Sequence, residues 1–349
     1  MELVEHDLVA LSAQEQEEYL RKQMLLDRVR PFSIGIPDQP LFRCQWFWLA
    51  ETRFELLISI HHAIDDGWGN QQFLRQLFDA YRAAKRGDDV YVPERANVHK
   101  EFVALEQALE ASPATQAFWG AQTIVTCGKS LLGSANELAP VSDSGRTILV
   151  PCELYEELCV AARRRKISLK ALFLSAYLDL ISDEVAGEAL TVGVVSNGRS
   201  ERLSDPLGAL GLFWTFVPFC MTHWTSSDAA RSARVQSLLA QIESHAAYPL
   251  NRIVPGIAAD EIFFATFNFV DFRSGVPLDA RDGIALMGRG GLDRFHFPLN
   301  YLFSVDRIRR TVVVHVEFDS RYVSAARVDS MNNKLLTVLR THTPGCAAA

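Results

Sequence analysis

An apolar run that stops at a polar, glycine-bearing turn and restarts as an amphipathic stretch limits most what this chain can fold into. Residues 53–60 (Arg-Phe-Glu-Leu-Leu-Ile-Ser-Ile) read as a strand, apolar on both faces near its end, which predicts a central strand. Residues 61–69 break that pattern with polar side chains and with Gly67 and Gly69. Phe73, Leu74, Leu77, Phe78, Tyr81 and Ala84 then recur at helical spacing as far as Arg86-Gly87. The polar turn is thus held between two regular elements, a common place for chemistry.

The rest of the chain repeats the alternation. A charged helix over 13–30 ends before Pro31, and a strand over 41–49 forms a hairpin-like pair with 53–60 across Ala50-Glu51-Thr52. Residues 98–119 read as a further helical stretch, and 126–146, rich in Gly, Ser, Asn and Pro, as a linker. Helices follow at about 152–166 and 169–184, the second capped by Ser168. Strands are predicted at 189–195 and 211–222, a helix at 226–246, strands at 262–270, 297–305 and 311–319, and a last helix at 324–340. Strands alternating with helices give a layered α/β architecture. The organisation expected is an N-terminal lobe over 1–125, the 126–146 linker and a C-terminal lobe over 147–349.

Composition narrows the function classes. The 349 residues are 48% hydrophobic and 22% charged, enough apolar content for a sizeable core. The net charge of −7 argues against a nucleic-acid partner, which needs a basic face. Cysteines at 44, 127, 152, 159, 220 and 346 show no CxxC spacing, so neither a zinc site nor a disulfide framework is expected. Scattered thiols, an acidic N-terminus without a signal-peptide core and no membrane-length apolar run lead to a cytoplasmic expectation.

The turn reads His61-His62-Ala63-Ile64-Asp65-Asp66-Gly67-Trp68. A histidine there can accept a proton from an amine or hydroxyl as it attacks a carbonyl, since imidazole titrates near neutrality. The aspartate four residues on can pair with an arginine and lock the loop, and Gly67 leaves room for a ligand near the backbone. Other readings stand beside this one. Composition alone would produce H-x-x-x-D-G in roughly a few per cent of chains this long. Asp65 or Asp66 suits a helix cap. A metal site lacks a complete ligand shell, because His61 and His62 on extended backbone point to opposite faces.

Taken with four later segments, the turn resembles the signature of nonribosomal peptide synthetase condensation domains, relatives of chloramphenicol acetyltransferase. Val195-Ser196-Asn197-Gly198-Arg199 is similar to the family's Gly-Arg segment, and Gly211-Leu212-Phe213-Trp214-Thr215-Phe216-Val217-Pro218 to its Gly-x-Phe-Val-Asn-Thr-x-Pro strand. His245-Ala246-Ala247-Tyr248-Pro249-Leu250 resembles a later His-x-x-Tyr-Pro-Phe, and Phe267-Asn268-Phe269 stands where a Phe-Asn pair belongs. The resemblance covers essentially the whole chain and implies a two-lobed, chloramphenicol acetyltransferase-like α/β sandwich. It makes His62 the catalytic histidine, Asp66 the structural partner of Arg199, and Gly67 a lining residue of the substrate tunnel. His61, Trp68, Trp214, Thr215 and Asn268 become substrate-binding candidates. Phe213 and Trp214 also suit a core, and His245, ending a helix, a structural role.

The chain departs from the family pattern in three places. The usual opening segment, with its Arg-His-Glu-x-Leu-Arg consensus, is not found before His61, so a truncated N-terminal lobe is expected. Thr215 stands where the family has Asn, and no Gly-Gly-x-Ser carrier site is visible. Related acyltransferases fit less well, since a late Asp-Phe-Gly-Trp-Gly is absent, His61 is retained, and Trp68-Gly69-Asn70 follows Gly67. The implied activity is transfer of an acyl or aminoacyl group from a carrier-bound thioester to a small-molecule amine or hydroxyl acceptor. The acyl group would arrive on phosphopantetheine with no bound cofactor or metal, and the chain would be a monomer or part of a larger synthetase. The alternatives are an inactive remnant that binds a carrier or tailoring enzyme, and a free-standing acyl-CoA-dependent acyltransferase.

Overall fold

A computed structural model describes residues 2–37, 39–90, 97–125, 143–184, 189–222, 228–271, 284, 285, 287, 288 and 297–343. They pack as two compact units. One draws on Met1–Ala96, Asp205–Phe213 and Val276–Leu292, the other on Asn97–Ser204, Trp214–Gly275 and Asp293–Ala349. Membership thus differs from a split at residue 125, for a reason visible at His245. Thr115 Oγ1 is hydrogen-bonded to His245 Nδ1 at 3.0 Å, Phe118 stacks on the same ring at 4.4 Å, and Trp119 Nε1 donates to its carbonyl at 3.4 Å. Burial among these groups lowers the His245 pKa from its ordinary value. Those contacts tie the stretch after residue 97 to the second unit and give His245 the structural place expected of it.

The first unit has β1 (Glu2–Asp7), α1 (Ala13–Val29), β2 (Phe42–Ala50), β3 (Arg53–Ile60) and α2 (Gly67–Arg86). The sheet order is β1-β2-β3, with β1 parallel and β3 antiparallel to β2. Among the described residues β2 is therefore the middle strand and β3 pairs with β2 alone, which corrects the expectation that residues 53–60 form a central strand. Their two-sided apolarity reflects a helix on each face, not a strand on each edge. Leu57 packs against the Leu8, Phe47 and Leu49 cluster that Tyr19 and Leu20 of α1 also cover, and Phe42, opposite Ile60, meets Phe73 of α2 at 5.5 Å between ring centroids. Strand β1 was not anticipated. Its sequence is charged, but His6 stacks on Phe47 at 4.6 Å and bonds Gln45 Oε1 and the Tyr19 hydroxyl, both at 3.1 Å.

Helix α1 buries no side chain fully, so polar contacts fix it to the sheet. Arg43 of β2 is 8% exposed and donates through Nε to Asp27 Oδ1 at 3.0 Å. Its Nη2 donates to the carbonyls of Asp27 at 3.2 Å and Arg30 at 3.0 Å, satisfying acceptors that a helix C-terminus leaves open. The Ser59 hydroxyl donates to the other Asp27 oxygen, and the Arg43 guanidinium lies over Phe32 at 3.9 Å.

The second unit has α3 (Val98–Glu110), α4 (Pro113–Gly120), β4 (Asp143–Val150), α5 (Cys152–Arg165), α6 (Leu169–Ser182), β5 (Ala189–Ser196), β6 (Thr215–Thr222), α7 (Asp228–Glu243), α8 (Leu250–Ile253), α9 (Ala259–Ile262), β7 (Ala265–Val270), β8 (Leu299–Asp306), β9 (Thr311–Asp319) and α10 (Ala325–Thr341). The single helix expected over 98–119 is two, because Ser112 caps a new start and Pro113 takes its first position, where a missing N–H costs nothing. The strand expected from 211 begins at Thr215, since Gly211 has φ 133° and belongs to the first unit. Residues 143–146 of the expected linker pair with β9, and 126–142 lie outside the described residues.

The six strands run β4-β9-β8-β7-β5-β6, with parallel pairing only at β5–β7 and β7–β8. Helix α6 is buried from Ala171 through Leu178, as a central core helix must be. Tyr177 donates to the Thr266 carbonyl at 3.0 Å and packs against Phe267 and Tyr301, and burial pushes its phenol pKa well up. No helix among the described residues is long and apolar enough to cross a membrane.

Packing on β5 is tight at Gly193. A Cβ there would lie 2.9 Å from the buried Phe263 ring and 3.1 Å from Thr266 Cγ2. Gly193→Ala should therefore lower stability by about 1–3 kcal/mol, the usual cost of overpacking. A urea melt checks this: an unchanged midpoint would show that the ring moves aside freely.

Candidate active site at the histidine turn

Strand β3 ends at Ile60, and the His61 N–H donates to the Leu41 carbonyl at 2.9 Å, so the turn leaves the sheet edge at a fixed point. Ile64 N–H then closes on the His61 carbonyl at 3.1 Å. The two adjacent histidines are held differently. The Ala63 N–H donates to His61 Nδ1 at 2.9 Å, which assigns the proton of the neutral His61 ring to Nε2. His62 Nδ1 lies 3.1 Å from the Asp65 carbonyl. A carbonyl can only accept, so His62 carries its proton on Nδ1 and the lone pair of the neutral ring on Nε2. His62 is exposed and His61 half-buried with its edge toward Phe32. Of the two, His62 is the ring whose contact places the lone pair of its neutral form on Nε2.

Asp66 is 2% exposed and caps α2. Its Oδ1 accepts from Gly69 N–H at 2.7 Å and its Oδ2 from Phe213 N–H at 3.0 Å. Charge-assisted bonds of this kind are about twice as strong as neutral ones, and the helix N-terminus favours the negative charge. The carboxylate thus closes the helix and holds segment Asp205–Phe213 of the same unit. Two further contacts reinforce it. Trp68 Nε1 donates to the Leu207 carbonyl at 2.8 Å. Gly69 lies against Gly211, whose N and O would both be 3.1 Å from any Cβ at position 69. Gly67 is the exposed first residue of α2.

The other residues singled out from the sequence lie in the second unit. Arg199, 7% exposed, follows β5 through a turn in which Gly198 takes φ 62° and the Arg199 N–H donates to Asn197 Oδ1 at 3.1 Å. Lys170 Nζ donates to the Val195 carbonyl at 2.9 Å just before that turn. Burial lowers the Lys170 pKa, and the Glu243 carboxylate offsets part of the shift. Thr215 opens β6 opposite Ser196, so it is brought beside the Arg199 turn. Trp214 turns its ring edge to Phe216 at 4.9 Å. Asn268 is half-buried on β7, between Phe267 and Phe269 that pack into the core. Among the described residues no three His, Cys, Asp or Glu are grouped to hold a metal ion.

The part played by 205–213 is not legible in the sequence, because Leu207 and Phe213 meet Trp68 and Asp66 through backbone atoms. A weak signal was present in Gly69 and Gly211, two positions where backbone approaches backbone.

Comparison with known proteins fits this geometry. Residues 1–270 match the family model of the condensation domain. The chain is 28% identical over 286 residues to the AMB antimetabolite synthetase AmbE of Pseudomonas aeruginosa, covering 80% of this chain and 13% of that synthetase. It thus spans a small part of that relative's length. Among solved structures, the X-domain from teicoplanin biosynthesis superposes with a TM-score of 0.76 at 18% identity, covering 98% of this chain and 79% of that one. The first condensation domain of the calcium-dependent antibiotic synthetase gives 0.73 at 19%, covering 99% and 76%. At such identities the superpositions speak for the fold alone, and it is the chloramphenicol acetyltransferase-like α/β fold expected from the sequence.

Asp66→Asn removes one of two acceptor oxygens and turns an amide NH2 toward an N–H donor. A loss of about 1–3 kcal/mol is expected, with faster amide hydrogen exchange at Phe213 or Gly69. Unchanged exchange at both amides would show that the carboxylate does not hold them.

Proposed function

The chain belongs to the condensation-domain family, and from that premise we propose that it joins a carrier-bound acyl or aminoacyl thioester to an amine or hydroxyl acceptor. The observation that carries this reading is the Nδ1–H···O bond from His62 to Asp65, which leaves Nε2 as the base. The acceptor lone pair attacks the thioester carbon as its proton passes to His62 Nε2. Collapse of the tetrahedral intermediate expels the phosphopantetheine thiolate, which takes the proton back from the imidazolium. An amide or ester and a free thiol result, with no net change in oxidation state. His62 can also orient the nucleophile or stabilise the oxyanion through the same nitrogen.

Asp66 would keep the turn in shape, and Gly67 would line the path of the thioester arm. His61, Trp214, Thr215 and Asn268 would contact the donor or acceptor. The reaction needs no bound cofactor or metal, because the acyl group arrives activated as a thioester. The partners are acyl or peptidyl carrier proteins, and the setting is a cytoplasmic synthetase of secondary metabolism. The support is the family membership together with the likeness to a large antimetabolite synthetase.

His62→Ala, presented with loaded carrier proteins and followed by intact mass, should lose at least about 100-fold in transfer rate, the usual worth of a general base. Undiminished transfer would reject His62 as the base. A parallel assay with a CoA-linked donor separates carrier dependence from acyl transfer as such.

A further inference from the structure

We propose that Trp68 is a positioning residue for His62, acting through segment Asp205–Phe213, and not a substrate contact. The inference rests on the reading of His62 as the base. Indole has a single donor, and Trp68 Nε1 directs it to the Leu207 carbonyl at 2.8 Å, across 139 residues of sequence. That bond is one of three contacts at the start of α2. Asp66 Oδ2 takes the Phe213 N–H at 3.0 Å, Trp68 takes the Leu207 carbonyl, and Gly69 rests on the Gly211 backbone. Together they fix both the axial rotation and the depth of the helix start.

The consequence for His62 follows from chain connectivity. The carbonyl that holds His62 Nδ1 belongs to Asp65, the residue directly before the Asp66 cap. Any rotation of the first helical turn moves that carbonyl and releases the imidazole. The segment that prevents the rotation has its own internal support. The Gly208 N–H donates to Asp205 Oδ1 at 2.9 Å and the Ala209 N–H to the Asp205 carbonyl at 3.2 Å. It also continues directly into Trp214 and Thr215, at the start of β6.

Trp68→Phe keeps the ring and removes the donor. In carrier-based assays kcat should fall about tenfold while KM stays within about twofold, as expected for loss of one hydrogen bond that acts on geometry. Nitrogen-15 NMR of the full chain should show the Nδ1–H tautomer of His62 in the unsubstituted protein and a reduced share of it in Trp68→Phe. Gly211→Ala, which strains the backbone at φ 133° where Gly69 rests on it, should give the same signature and covers the case that Trp68→Phe does not fold. A rise in KM alone, or a kcat loss with an unaltered His62 tautomer, would overturn the proposal. A shift in tautomer in a chain that transfers no acyl group would uphold the positioning role and reject the catalytic reading.

Discussion

The carboxylate of Asp66 is the contact on which the site depends. One oxygen caps the start of the helix that follows the histidine turn, and the other holds a backbone N–H at Phe213, 147 residues away. A buried carboxylate is costly unless its lone pairs are met, and here donors are aimed at both oxygens. The local cap and the long-range tie are inseparable because one rigid group makes both. A capping serine or threonine would close the helix equally well but would leave the Phe213 N–H without this acceptor. Asp66 thus caps α2 and, with the same carboxylate, holds the segment that ends at Phe213.

From that fixed point the chemistry of the turn follows by hydrogen-bond bookkeeping. Two neighbouring histidines in one turn could each present either nitrogen. The Ala63 N–H settles the first and the Asp65 carbonyl the second, with opposite results. Rigid backbone partners thus perform the role that a separate orienting carboxylate plays in a catalytic triad. In the proposed reaction, accuracy in placing the Asp65 carbonyl would become accuracy in placing the base, and effective catalysis tolerates little slack there.

What was legible in the sequence was what depends on near neighbours. The strand-turn-helix at 53–86, the cap at Ser168 and the helices over 152–182 arise from spacing and local hydrogen bonds, and they stand where the pattern puts them. The break at Ser112-Pro113 was also written locally, as a capping residue before an N1 proline, and was passed over because apolar periodicity continues through it. Strand β1 and the edge position of β3 were hidden for a different reason. Strand order is decided by pairing partners far away in sequence, and the polar His6 earns its place in β1 by stacking on Phe47. The role of Leu207 and Phe213 was the least visible, because a backbone N–H or carbonyl carries no side-chain label.

The two units reach order by different means, and this decides where substitutions matter. In the second unit a helix buried along most of its length packs on a six-stranded sheet through Tyr177, Phe267, Tyr301 and Phe303, where area and volume dominate. In the first unit α1 buries no side chain fully and α2 only Gly69. Its helices are placed by directional contacts, Arg43 with Asp27 at one and Asp66, Trp68 and Gly69 at the other. Directional contacts specify an orientation more sharply than apolar packing does, but each is lost outright when one partner changes. The histidine turn thus sits where geometry rests on a few named groups. Changes of methylene volume near it should be tolerated better than removal of a single donor or acceptor, the reverse of the order expected around Tyr177.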